Sequence, residues 1–272
     1  MKFKLVLLFG LFLVATALLP AQTFTDPLTT ASASNWATTI PSLGSGTLTF
    51  GASYLGFASA APSSQDSSYL TLTAAAGPST ANWTAQVDMH LTASSSVFNT
   101  DGQFANLNLI IAKASDGNNY NTTFALDRYV TVGPVIHQDI EAYIKTGGLG
   151  GIIGSPQIVS TAATTLMISY DAGAETLSYS YDIDTVGVNG ATFTAIPSYT
   201  QNIGSSGLNW NMLGGDFAIL LVGSSGNTLL TAPDAYFSNF SATAVPEPST
   251  YAAITGLAAL GLAFIRRRRL AI

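Results

Sequence analysis

The stretch LMISYDAGAETLSYSYDI, residues 166–183, decides the fold. Leu166, Ile168 and Tyr170 alternate with Met167, Ser169 and Asp171; Leu177, Tyr179 and Tyr181 alternate with Ser178, Ser180 and Asp182. A period of two is the period of a strand, because successive side chains point to opposite faces. Between the two runs lies Asp171-Ala172-Gly173-Ala174, a turn cluster whose glycine is read as the source of the positive φ that tight hairpins need. Working outward, similar runs recur at residues 47–50, 69–73, 83–91, 107–113, 121–127, 136–144, 217–222 and 236–242. Ser115-Asp116-Gly117-Asn118-Asn119 is a second turn cluster. No stretch between residues 22 and 244 sustains a helical stripe. The expectation is an all-β body of one domain, a sandwich of two antiparallel sheets, since each strand needs one buried face. Gly147 to Gly154, with no helix after it, reads as a flexible loop.

Composition narrows the partners. The 272-residue chain has no cysteine, which excludes a disulfide framework, a thiolate nucleophile and a Cys-based zinc site in the monomer. Between Gln22 and Ala244 only Lys113, Arg128 and Lys145 are basic against fourteen acidic residues, a net charge of −11 with neutral histidines. Such a body is poorly suited to nucleic acid or to anionic membrane surfaces, and it attracts Ca2+ or polycations. Its remaining polar surface comes mainly from Ser, Thr, Asn and Gly, which hydrogen-bond neutral partners such as sugars.

The two ends carry targeting information. Residues 1–21 have a basic start (Lys2, Lys4), an apolar run from Leu5 to about Val14, and small residues at Ala15, Ala17 and Ala21. This is a secretory signal peptide, cleaved after Ala17 or Ala21. At the other end, residues 245–272 read VPEPSTYAAITGLAALGLAFIRRRRLAI. The uncharged run 251–265 is fifteen residues long, about 22 Å as a helix, short of a hydrocarbon core of about 30 Å. Local thinning, Tyr251 at one interface and snorkelling arginines at the other make up the deficit. Arg266, Arg267, Arg268 and Arg269 hold the C-terminus on the cytoplasmic side, so the body lies outside the cytoplasm. Pro246 and Pro248 keep the motif before the span extended. Either a plain membrane anchor or a segment presented to a protease fits these residues.

Val245-Pro246-Glu247-Pro248-Ser249-Thr250, the apolar span and the arginine run together resemble the PEP-CTERM sorting signal of exported proteins in exopolysaccharide-producing diderm bacteria. The resemblance covers about 28 residues with all three parts in order. It implies an inner-membrane-anchored precursor, recognition by an exosortase that cuts near Pro-Glu-Pro, and delivery to the cell surface or the medium. The same tail also carries the label ice-binding protein C-terminal domain, which describes the tail and not the body. A second resemblance covers most of the body. Phe24-Thr25-Asp26, Ala112-Lys113-Ala114-Ser115-Asp116-Gly117-Asn118-Asn119-Tyr120, Ile168-Ser169-Tyr170-Asp171 with Leu177-Ser178-Tyr179, and Tyr236-Phe237-Ser238-Asn239-Phe240 occur in an order similar to a concanavalin A-like, laminin-G-type jelly roll. Members of that fold bind glycans, cleave them or mediate contacts, and the fold does not choose among these.

Several residues are candidates for chemistry. In a strand, His137, Asp139, Glu141 and Tyr143 share one face and Ile136, Ile140, Ala142 and Ile144 the other. Asp139 and Glu141 stand about 6.7 Å apart at Cα, within reach of glycoside-hydrolysis separations once the side chains converge. Jelly-roll glycanases resemble this in carrying nucleophile and acid on one strand face. The departures are the His, Asp, Glu, Tyr series in place of Glu at both ends, and no neighbouring tryptophan; a solvated strand face is the plainer reading. Asp182 and Asp184 share a strand face, with Asp171, Asp216 and the Asp116 loop as further oxygen donors for a Ca2+ ion. An EF-hand at Asp116, Asn118 and Tyr120 fails at Asn121 and Asp127, so a hairpin turn fits better. His90 and His137 alone cannot furnish a zinc site. Trp36, Trp83 and Trp210 fill the core or stack sugars, and Trp210, flanked by Asn209 and Asn211, is the best exposed candidate. Thr47 to Thr49 and Thr71 to Thr73 are too few for an ice-binding array.

The reading is therefore an exported protein, 1–21 signal peptide, 22–244 sandwich body and 245–272 sorting tail, whose body is a non-enzymatic module contacting extracellular polysaccharide. The rivals are a glycan-cleaving enzyme dependent on Asp139 and Glu141, and a structural coat protein without glycan affinity.

Overall fold

The computed structural model describes residues 22–38, 42–60, 65–73, 77–92, 94, 96–133, 135–159, 162–183, 192–212 and 215–245. The expected signal peptide, Asp184, the expected span at 251–265 and all of the sorting motif after Val245 lie outside these residues. Among the described residues sixteen strands follow in chain order: β1 (Gln22–Asp26), β2 (Trp36–Ala37), β3 (Gly46–Phe50), β4 (Leu55–Ser59), β5 (Asp66–Leu72), β6 (Asn82–Leu91), β7 (Phe104–Lys113), β8 (Asn121–Thr131), β9 (Val135–Thr146), β10 (Leu149–Ile158), β11 (Ala163–Asp171), β12 (Thr176–Asp182), β13 (Thr194–Ala195), β14 (Gln201–Asn202), β15 (Phe217–Gly226) and β16 (Ala235–Val245). All the alternating runs read from the sequence are strands.

They form two antiparallel sheets. The nine-stranded sheet runs β13-β12-β11-β6-β16-β4-β3, with β1 paired to β16 and β14 to β12; the seven-stranded sheet runs β10-β9-β8-β7-β15-β5-β2. Alternation puts Leu107, Leu109 and Ile111 of β7, Phe124 and Leu126 of β8 and Ile140 and Ala142 of β9 inside. They share one buried cluster with Val87 and Met89 of β6, Leu166 and Ile168 of β11 and Phe57 of β4. The sheets close tightly at Gly223, where a Cβ would lie 2.4 Å from the Phe57 ring. Asp26 ties down the first turn: its carboxylate accepts from the Leu28 N–H at 2.7 Å, Asn35 Nδ2 at 3.0 Å and Trp36 Nε1 at 3.0 Å. Burial alone would raise its pKa, yet these bonds and one from Ser32 hold it below the ordinary value.

Two local expectations need correction. Residues 147–154 are not a loop: Gly147 and Gly148, at φ +58 and +85, form the two-residue hairpin turn between β9 and β10. Positive φ at both central residues is the type I′ geometry that suits strand twist. Glycine lacks the side chain that an alternation pattern needs, which hid β10. The strand's glycines also make room, since a Cβ on Gly150 would lie 2.4 Å from the Tyr143 hydroxyl. In the turn after β11, Asp171 Oδ1 accepts from the Gly173 and Ala174 N–H groups at 2.9 and 3.0 Å. Positive φ falls on Glu175, not on Gly173. The Asp116 cluster is the expected β7–β8 turn, with Asn119 Nδ2 donating to Asp116 Oδ1 at 3.0 Å, but the positive φ expected of its Gly117, Asn118 and Asn119 is not found there.

Thr122, Arg128 and Gln138 break the apolar pattern of the inward positions on β8 and β9, and Arg128 is the charged one. Arg128 of β8 is 4% exposed, its guanidinium 5.9 Å from the Phe98 ring centroid, and its Nε has no hydrogen-bond partner. Burial lowers its pKa to about 10. A buried donor left unsatisfied costs about 1–3 kcal/mol. Arg128→Met should therefore raise stability by about that amount in urea unfolding; a loss of stability would mean that the guanidinium is compensated.

Candidate functional site

The outward face of the seven-stranded sheet carries the candidate site. From Asn121↔Lys145 to Thr131↔Val135, β8 and β9 pair without a register shift, and β7 pairs β8 equally cleanly from Phe104↔Tyr129 to Ala112↔Asn121. Side chains of one parity therefore line up in rows across three strands. A groove of about 340 Å³ runs over Asn106 and Asn108 of β7, Thr123, Ala125, Asp127 and Tyr129 of β8, and Glu141 and Tyr143 of β9. At the next outward positions, Ile110, Asn121 and Lys145, a second hollow of about 620 Å³ continues it towards Lys113 and the Asp116 turn. Its floor is apolar where Ala112 and Leu220 pack against Tyr69, Ile110 and Ala218.

The Asp139 and Glu141 pair lies on this face as the alternation requires, but the two carboxyls differ. Asp139 is 4% exposed and accepts a 2.8 Å hydrogen bond from the Tyr129 hydroxyl. Tyr129 in turn stacks on His137 at 5.0 Å between ring centroids. Glu141 is half-buried, and burial first, then the neighbouring Asp139 charge, raises its pKa. A third carboxyl joins them: Asp127 sits directly opposite Asp139 in the register. Burial, then the charges of Glu141 and Asp139, push it up to about 8, against a hydrogen bond from Asn106 that lowers it. Asn106 and Asn108 are fixed in place: Asn108 Nδ2 donates to Asn106 Oδ1 at 2.9 Å and to Val222 O at 3.1 Å, and Ser224 Oγ donates to Asn106 Oδ1.

Asp127, Asn106 and Asn108 were not singled out as site residues from sequence, because their partnership spans three strands. The available signal was the polar alternation in NLN at 106–108 and in TFALDRY at 123–129.

The remaining candidates are dispersed. Trp210 is fully buried, donating from Nε1 to Thr146 Oγ1 at 3.0 Å and meeting Tyr120 edge-on, so it offers no stacking surface. Its flanking Asn209 and Asn211 take φ near +50, which folds the indole inward. Trp36 and Trp83 are also buried. Asp182 is buried in register with Thr165, whose other neighbour is Asp88. Among the described residues, no three His, Cys, Asp or Glu side chains group so as to hold a metal ion. No described helix is long and apolar enough to cross a membrane.

Residues 244–269 match the PEP-CTERM protein-sorting motif, which marks the chain as exported and exosortase-processed. None of the curated proteins matches the chain. Among solved structures, a lectin from Bauhinia forficata in complex with GalNAc is 12% identical with a TM-score of 0.48, over 83% of this chain and 99% of that one. Lectin II from Ulex europaeus is 10% identical with a TM-score of 0.49 over the same shares. The CBM2 module of the Lactobacillus casei BL23 phage J-1 evolved Dit is 7% identical with a TM-score of 0.45, over 85% and 94%. Likeness at this level says nothing about a ligand or an activity.

The crowded acid has a measurable signature. Asp127 keeps its proton in the folded state after the unfolded chain has lost it, so its effect on stability grows more unfavourable from about pH 4 to about pH 8 and then levels off. Asp127→Asn should match the parent's Tm near pH 4 and exceed it by a few degrees at pH 8, since every tenfold difference in proton affinity between folded and unfolded chain is worth about 1.4 kcal/mol. A Tm difference that does not change with pH would show that Asp127 titrates as an ordinary carboxylate.

Proposed function

We propose that this exported, exosortase-processed protein contacts extracellular polysaccharide through the groove on its seven-stranded sheet, without cleaving it, at the cell surface or in the matrix. The observation that carries the reading is the groove itself. Fixed amide groups, hydroxyls and tyrosine rings line a hollow that continues along three strands, open to an extended chain. Neutral hydrogen-bonding groups with an aromatic face suit sugars, which present hydroxyls at their edges and C–H groups on their faces. Tyr143, 40% exposed, is the aromatic most available for stacking. Before processing, the 251–265 span and the four arginines hold the precursor in the inner membrane with the sandwich outside.

Cleavage is the second reading, and Asp127 is the observation that favours it. A carboxyl that keeps its proton to about pH 8 beside Glu141 has the character of a general acid. Against it, Asp139 is buried and engaged by Tyr129, which withdraws it from attack on a sugar.

Affinity electrophoresis in gels cast with the producer's exopolysaccharide separates the readings. Retardation of the chain, weakened up to about tenfold by Tyr143→Ala, with no new reducing ends, is the expected result. Reducing ends that disappear in Asp127→Asn would establish cleavage. No retardation, with self-association instead, would favour a coat protein.

A further inference from the structure

The distribution of charge along the groove narrows the class of glycan. Asp127 and Glu141 line one end of the groove, and the buried Asp139 sits between them in the outward row, directly opposite Asp127. Directly opposed positions have their Cβ atoms about 4.5–5.5 Å apart, where like charges destabilise one another. Arg128 lines this end, but its guanidinium turns inward onto the Phe98 ring, and Lys113 and Lys145 line the far hollow. The carboxyls come from two strands, and among the described residues no acidic group of three is arranged to hold a metal ion. A compact divalent ion needs several oxygens at about 2.3–2.6 Å at once. Cationic groups carried along a flexible chain do not.

We propose that the groove takes a polysaccharide with free amino groups, a polymer of 2-amino-2-deoxyhexose at least partly lacking N-acetyl groups, and that it seats an ammonium group against Asp127 and Glu141. This rests on the reading of the groove as a glycan site. An ammonium there supplies the opposite charge that three crowded carboxyls lack, and it donates hydrogen bonds to ionised oxygens, the stronger kind. The groups facing it are Asp127 and Tyr129 from β8, Asp139, Glu141 and Tyr143 from β9, and Asn106 from β7. At long range the body's charge of −11 draws a polycation and repels uronic-acid polymers. Because Asp127 holds a proton near neutrality when the groove is empty, seating an ammonium should release protons to the buffer.

The test is calorimetric titration of the full-length chain, in neutral detergent at pH 6, with glucosamine hexamer, with N-acetylglucosamine hexamer and with an oligogalacturonate. The glucosamine hexamer should bind at least tenfold more tightly than its acetylated counterpart, and the oligogalacturonate should not bind. The preference should shrink on raising salt from 50 to 500 mM and fall to near unity in Asp127→Asn/Glu141→Gln, while Asp101→Asn, outside the groove, should retain it. If the double variant does not fold, the salt dependence and the proton release of the parent chain decide. Equal or tighter binding of the acetylated hexamer would overturn the amine inference and leave the glycan reading standing. Failure of both hexamers and of the producer's polysaccharide would remove both. Displacement of the glucosamine hexamer by micromolar Ca2+ would also overturn the inference in favour of a metal site.

Discussion

The structure depends on the unbroken pairing of β7, β8 and β9. With one face of the sheet packed against the other sheet, every inward position on these strands is committed to the core, and a one-residue slip would drive Asp127, Asp139 and Glu141 into it. The same constraint brings the three carboxyls together on the outside. They are crowded because the register leaves them nowhere else to point. The elevated Asp127 follows first from burial and then from that crowding.

That logic sets what could be read from the chain alone. Alternation is a local signal, so the strands around Leu107–Ile111, Phe124–Leu126 and Leu166–Tyr170 are plain in the sequence, as is the shared face of His137, Asp139, Glu141 and Tyr143. Register is not local. Nothing near residue 127 announces that its neighbour is residue 139, and Asn106 and Asn108 look ordinary until β7 is laid beside β8. Strand β10 escaped because glycines at 150, 151 and 154 leave few side chains to alternate. Trp210 misled because flanking asparagines and a Gly/Ser segment usually mark exposure, whereas here positive φ at Asn209 and Asn211 turns the ring into the core.

The termini of the sandwich bear on its export. β1 lies against β16, with Gln22 opposite Ala244 and Asp26 opposite Phe240, so the two ends of the described chain share one ladder. Strand β16 reaches Val245, the first residue of the sorting motif, and Pro246 has no N–H with which to extend the ladder. A chain with fourteen acidic residues and three basic ones in its body keeps two of those acids, Asp127 and Glu141, in a single groove with the buried Asp139 beside them.

The most direct measurement is amide chemical-shift mapping of the isotope-labelled chain with oligosaccharides cut from the producer's exopolysaccharide. The account predicts shifts confined to the backbone of β7, β8 and β9 and to the side-chain amides of Asn106 and Asn108, with the nine-stranded sheet silent. Shifts gathered on β6, β11 and β12 instead, or none at saturating sugar, would contradict it.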